Sequence, residues 1–223
     1  MGEPQTKNGL PRPQQKRSRE TLQRILDAME AALEDHTFEE VTVADLCRRA
    51  SCSVGTFYGR VESKDGLLDH LRERVYEEML AVFARIFDPV TYEGKSLPQI
   101  LANQSVALVR LHFARKGVIR ANVVQARRRA EFAVHTRRFN EAIIGRVSAA
   151  WLTRAEEITH DDPERAVQQA ALMAGGYLRE AVVFGELWPT KNLTPDEHIV
   201  ELSEMLSRYL TGQAAPPAER APE

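Results

Sequence analysis

The sequence predicts an all-α protein of about nine helices: a small three-helix N-terminal domain followed by a larger helical one. Apolar residues recur at i, i+3, i+4 spacing over most of the 223 residues. Cap and proline signals break these stripes at helix-length intervals, and no segment sustains the alternation of a strand. No internal repeat is present. At 43% hydrophobic and 28% charged residues, the chain can bury a substantial core. No run approaches the roughly 18 apolar residues that a membrane helix needs. The polar, basic N-terminus has no apolar signal core before Leu22. Cys47 and Cys52 alone make no disulfide framework, so a cytoplasmic protein is expected.

Residues 1–15, rich in Pro, Gln and Gly, are expected to form a disordered basic arm. The net charge of −2 argues against a nucleic-acid partner, but its distribution argues the other way. Lys7, Arg12, Lys16, Arg17, Arg19 and Arg24 face the single acid Glu20, a footprint suited to phosphate.

A helix–turn–helix domain is expected over residues 16–63. Its first helix runs from about Ser18 to Glu34, with Leu22, Ile25, Leu26, Met29, Ala32 and Leu33 as the buried stripe. Thr42 caps the second, whose inner face is Val43, Leu46, Cys47 and Ala50. Ser53 caps the third, with either Val54 or Phe57, and Val61, turned inward. The third helix, roughly Ser53 to Tyr58, is slim enough for a major groove about 12 Å wide. Its hydroxyls, with Lys64 just beyond, suit phosphate positioning.

Residues 64–212 are expected to form a second helical domain. Ser63 caps a long helix that Asp88-Pro89 ends, because the residue before proline is pushed out of the helical region. Further helices are expected over about Leu97–Lys116, Val118–Arg128 and Glu131–Ile158. Asp162-Pro163 opens the next, of residues 162–186, where proline loses nothing at the first helical position. Its Ala170, Ala171, Ala174, Gly175, Gly176, Ala181 and Gly185 allow close helix approach. Thr194-Pro195-Asp196-Glu197 combines cap, proline and N3 glutamate to start the last helix, residues 195–211. Residues 213–223 are expected to be a disordered tail.

The chain resembles the TetR family of transcriptional regulators through an ordered run of residues. Arg19-Glu20-Thr21 leads into Ile25-Leu26-Asp27-Ala28, then Thr42-Val43, Leu46 and Ala50. Ser53-Val54-Gly55-Thr56-Phe57-Tyr58-Gly59-Arg60 follows, and Ser63-Lys64-Asp65 with Leu67-Leu68 closes the run. The resemblance departs at Ser51, where the family usually carries glycine, at Cys52, usually valine, and at Val61, often phenylalanine. It implies that Thr42 and Tyr58 hydrogen-bond phosphates and that Lys64 adds an ion pair. Ser53 and Thr56 would meet backbone or base edges, and Gly55 would let the helix come close. Val54 could touch only a thymine methyl. Arg60, with Arg48 or Arg49, would contact phosphate, and Arg17 or Arg19 would reach the minor groove.

The resemblance also implies a homodimer on double-stranded DNA carrying a palindromic operator, paired through helices 162–186 and 195–211. It implies a small-molecule effector enclosed by the middle helices. Polar and aromatic groups that interrupt their stripes nominate Asn103, His112, Gln125, Phe132, His135, Trp151 and Tyr177 for that pocket. The expected protein is therefore a ligand-responsive repressor released by its effector, with activation as the other regulatory outcome.

The competing reading is an all-α dimeric small-molecule-binding protein or enzyme without DNA binding. It lacks support from motifs. There is no His-Glu-x-x-His, Cys-x-x-Cys, glycine-rich phosphate loop or Gly-x-Ser-x-Gly elbow. No catalytic residue, metal site, cofactor or membrane association is expected.

Overall fold

The computed structural model describes residues 13–187 and 193–218. Its described residues form nine α-helices and no strand: α1 Pro13–Asp35, α2 Val43–Arg49, α3 Val54–Tyr58, α4 Lys64–Ile86, α5 Leu97–Ala114, α6 Lys116–Arg128, α7 Ala130–Trp151, α8 Pro163–Val183 and α9 Pro195–Thr211. The predicted all-α class and helix number hold. None of these helices is long and apolar enough to cross a membrane. Residues 1–12 of the expected arm and 219–223 of the expected tail lie outside the described residues. Residues 13–15 already belong to α1, with Pro13 at its start.

The chain divides into two compact units, Met1–Arg72 and Glu73–Glu223. In the first, Ile25, Met29 and Leu33 of α1, Leu46 of α2, Phe57 of α3, and Leu67, Leu68 and Leu71 at the start of α4 are almost wholly buried. Thr42 Oγ1 accepts from Asp45 N at 3.1 Å, and Ser53 Oγ from Thr56 N at 3.0 Å, so both predicted caps form. Ser51, in the turn between α2 and α3, sits at φ 51°, a left-handed conformation that disfavours a side chain.

In the second unit α5 packs along α9, and α8 contacts α5, α6, α7 and α9. The expected Glu131–Ile158 helix ends early, at Trp151, and a 3-10 turn covers Leu152–Glu157. Side-chain demands from elsewhere explain the break. Arg154 leaves helical geometry to donate to Lys95 O at 3.0 Å, and Glu157 Oε2 accepts from Leu97 N, an otherwise unpaired donor opening α5, at 2.9 Å. A second unexpected 3-10 turn, Pro89–Tyr92, follows the predicted stop at Asp88-Pro89, with Asp88 Oδ1 accepting from Val90 N. After α9 the chain is not helical, yet Ala215 N donates to Glu204 Oε2 at 2.7 Å and Ser207 Oγ to Gln213 O at 2.8 Å, tying it to α9.

Candidate functional site

The first candidate surface is the outward face of α3. Phe57, with no exposure, settles the choice between Val54 and Phe57 and anchors the helix from beneath, together with buried Val61. Val54 is left 49% exposed and Tyr58 54% exposed. The rings of Phe57 and Tyr58 meet edge to face at 5.2 Å, which supports the outward tyrosine. Ser53 Oγ and Thr56 Oγ1 lie 2.9 Å apart, so the cap also orients the threonine hydroxyl. Gly55 is exposed, and a Cβ there would meet only Ser53 Oγ at 3.9 Å. No internal packing demands that glycine.

The basic residues divide into outward and engaged groups. Arg17, Arg19 and Arg60 are exposed, with Arg60 Nη1 donating to its neighbour Gly59 O at 3.0 Å. Arg48 pairs with Asp45, which also accepts from Arg49 Nε at 2.9 Å. That Arg49 hydrogen bond, helped by both positive charges, holds the Asp45 carboxyl below its ordinary range. Lys64 is turned inward more than the sequence suggests. Its Nζ donates to Phe38 O at 2.8 Å and Val41 O at 2.9 Å and stands 4.4 Å from the Phe38 ring centre. Two of its three donors thus tie the loop after α1 to the start of α4. Arg24, assigned to the basic arm in sequence, latches α1 to the end of α2 through Nε to Ala50 O at 3.2 Å.

The second candidate site is a cavity of about 200 Å³ inside the second unit, walled by α4, α5, α6, α7 and α8. Tyr76, Phe83, Phe87, Phe139 and Trp151 supply aromatic walls, with Tyr76 and Phe139 stacked at 4.1 Å. Trp151 Nε1 donates to buried Gln104 at 2.6 Å, and Gln104 Nε2 to Ile86 O at 3.0 Å, which locks the indole against the wall. Polar groups on the wall are few: Tyr76 and Thr136, joined at 3.1 Å, with His112, Asn122, Asn140 and Arg179.

His112 Nδ1 donates to Leu108 O at 2.8 Å, which leaves Nε2 as an acceptor in the neutral ring. Desolvation pushes its pKa down to about 4; the Leu108 bond opposes this and the nearby Arg179 charge assists it. Arg179 is itself lowered by burial. Asn122 is 4% exposed, and neither its Nδ2 nor its Oδ1 has a hydrogen-bond partner.

Of the residues nominated from sequence, His112 and Trp151 lie on this wall. Gln125 and Phe132 are buried outside it, the Phe132 ring lying under Arg129 at 4.5 Å. Asn103 is half-buried and His135 exposed, both away from the cavity. Tyr177 also lies off the wall, its hydroxyl 2.7 Å from His198 Nδ1. Asn122 and Arg179 escaped the sequence reading. Asn122 interrupts the apolar stripe of α6 as Gln125 does, and could have been found that way. Arg179 carries no local signal, since one arginine on a helix resembles any solvated one.

Residues 25–71 match the family model described as bacterial regulatory proteins, tetR family. Among solved structures, GusR of Salmonella enterica superposes with a TM-score of 0.59 at 22% identity, covering 91% of this chain and 99% of that one. A tetR-family regulatory protein from Rhodococcus RHA1 superposes at 0.66 with 16% identity, over 85% and 96% of the two chains. A gamma-butyrolactone receptor, described as ArpA-like, superposes at 0.55 with 17% identity, over 87% and 90%. These likenesses extend the shared fold to nearly the whole chain. A search of curated proteins finds no match. Residues 25–71 thus carry the motif of the tetR family of bacterial regulatory proteins, and the rest of the chain shares the helical fold of these structures.

Proposed function

We propose that the protein is a cytoplasmic, dimeric transcriptional repressor that binds a palindromic operator through α3 and leaves it when a small molecule fills the cavity of the second unit. The observation that carries this reading is the outward set on α3: Val54, Gly55, Thr56 and Tyr58, held on a buried Phe57. Tyr58 and Thr42 offer hydroxyls to phosphates, Thr56 and Ser53 to backbone or base edges, and Val54 a methyl contact for thymine. Arg60, Arg48, Arg17 and Arg19 add charge around that face. Lys64 serves first as the clamp described above, with one donor remaining for a phosphate.

One module offers few contacts, so specificity calls for two copies about 34–36 Å apart on a duplex. Leu172 on α8 and Val200 on α9 are 56% and 63% exposed, which suits pairing of these helices with a second copy. The ligand acts because α4 contributes residues to both the first unit and the cavity wall, and it releases DNA only as far as it favours the non-binding conformation. Footprinting on DNA flanking the protein's own gene tests the reading. Protection of an inverted repeat that weakens with salt is expected; a monomer without preference for any inverted repeat overturns it.

A further inference from the structure

We infer that the cavity's ligand is a small aromatic carboxylate that also carries a hydroxyl group, an inference that rests on the effector reading above. Among the described residues, Arg179 is the only permanently charged side chain on the wall, and no acidic residue lines it. Among the described residues no carboxylate pairs with its guanidinium, and the remaining wall is chiefly aromatic and aliphatic. A cation in such surroundings favours an anionic guest, and the planar guanidinium matches a carboxylate through two parallel hydrogen bonds. A cationic ligand finds no countercharge there.

A second observation points to a guest independently of charge. The Asn122 amide is buried on the same wall with its donor and its acceptor both unused. Buried amides are ordinarily paired, so this one suits a polar group of a guest. Neutral His112 adds an acceptor at Nε2. A hydroxyl can accept from Asn122 Nδ2 while donating to Asn122 Oδ1 or to His112, and the other polar group, the carboxylate, goes to Arg179. Between them, Tyr76, Phe83, Phe87, Phe139 and Trp151 favour a flat ring. The volume, about 200 Å³, exceeds the ~150 Å³ apolar cavity that accommodates benzene, and so admits a substituted ring.

Calorimetric titration of the full-length protein with 6-hydroxy-2-naphthoate, its carboxamide and unsubstituted 2-naphthoate tests this class. The hydroxy acid is expected to bind at least about tenfold more tightly than the amide. Arg179→Met should erase that preference while Arg179→Lys retains part of it, and Asn122→Leu should erase the advantage of the hydroxyl. Melting curves establish that each variant is folded, and Arg179→Lys carries the test if Arg179→Met is not. An amide that equals the acid, or a preference that survives Arg179→Met, overturns the acid class. If the amide binds as tightly as the acid and Asn122→Leu weakens both, the effector cavity stands and only the acid class falls. If none of the three compounds binds, the class falls whatever the footprint shows, and an operator complex that then also ignores all three leaves DNA binding intact.

Discussion

The outward face of α3 and the wall of the cavity use polar side chains in opposite ways. On α3, Ser53 and Thr56 are already hydrogen-bonded to each other and to the backbone, and what they offer a partner is surplus capacity on a preset frame. On the cavity wall, Asn122 is buried without a protein partner and Arg179 without a counter-ion among the described residues, so their bonding capacity is open to a guest. The first arrangement suits a rigid surface that meets DNA as it stands. The second offers bonding capacity to a ligand, which can switch the protein only by binding two conformations with different affinity.

The comparison can be broken at its frame. Phe57→Ala removes the anchor beneath α3 and should destabilise the first unit by about 3–5 kcal/mol. Urea denaturation should register this as a lowered midpoint, with DNA binding lost. A much smaller change would mean that α3 does not depend on its buried ring.

Acid should act on the cavity instead. His112 is neutral in the folded chain, with a pKa of about 4 against 6.5 when unfolded. Between those values the unfolded chain binds more protons, so stability is fully present above about pH 6.5 and falls as pH drops toward 4. The gap corresponds to at most ~3.5 kcal/mol. His112→Phe should flatten that limb of the stability profile; an unchanged slope would place the titrating group elsewhere.

Lys64→Met separates clamp from contact. Losing the bonds to the Phe38 and Val41 carbonyls should cost about 1–3 kcal/mol of stability, measured by denaturation. If the remaining donor reaches a phosphate, the salt slope of DNA binding falls by about 1. An unaltered midpoint would contradict the clamp.

The smallest effect concerns the turn that presents α3. Ser51→Gly relieves the φ of 51° but loosens the unfolded chain, so a net gain of only about 0.5 kcal/mol is expected. A loss of stability would show that the serine side chain contributes more than its backbone strain costs.

The same contrast explains what the sequence revealed. Helix number, the caps Thr42, Ser53 and Thr194, and the α3 motif are local properties, and chain order alone displays them. The end of α7 is not local, because Arg154 and Glu157 are recruited by groups around residues 92–97. Nor is the cavity: Asn122 and Gln125 look equivalent in sequence, and only tertiary packing places one on the wall and the other off it. Lys64 was legible as important, yet its inward partners Phe38 and Val41 lie more than 20 residues away.

Gly55→Ala bears most directly on the role of α3. The added methyl meets nothing closer than 3.9 Å within the protein, and alanine favours a helix over glycine by about 0.5–1 kcal/mol. Fluorescence anisotropy on the footprinted duplex, paired with a melting curve, should find a protein at least as stable as the parent that binds DNA about tenfold more weakly. Unchanged affinity in that stable variant would mean that the duplex does not approach this helix.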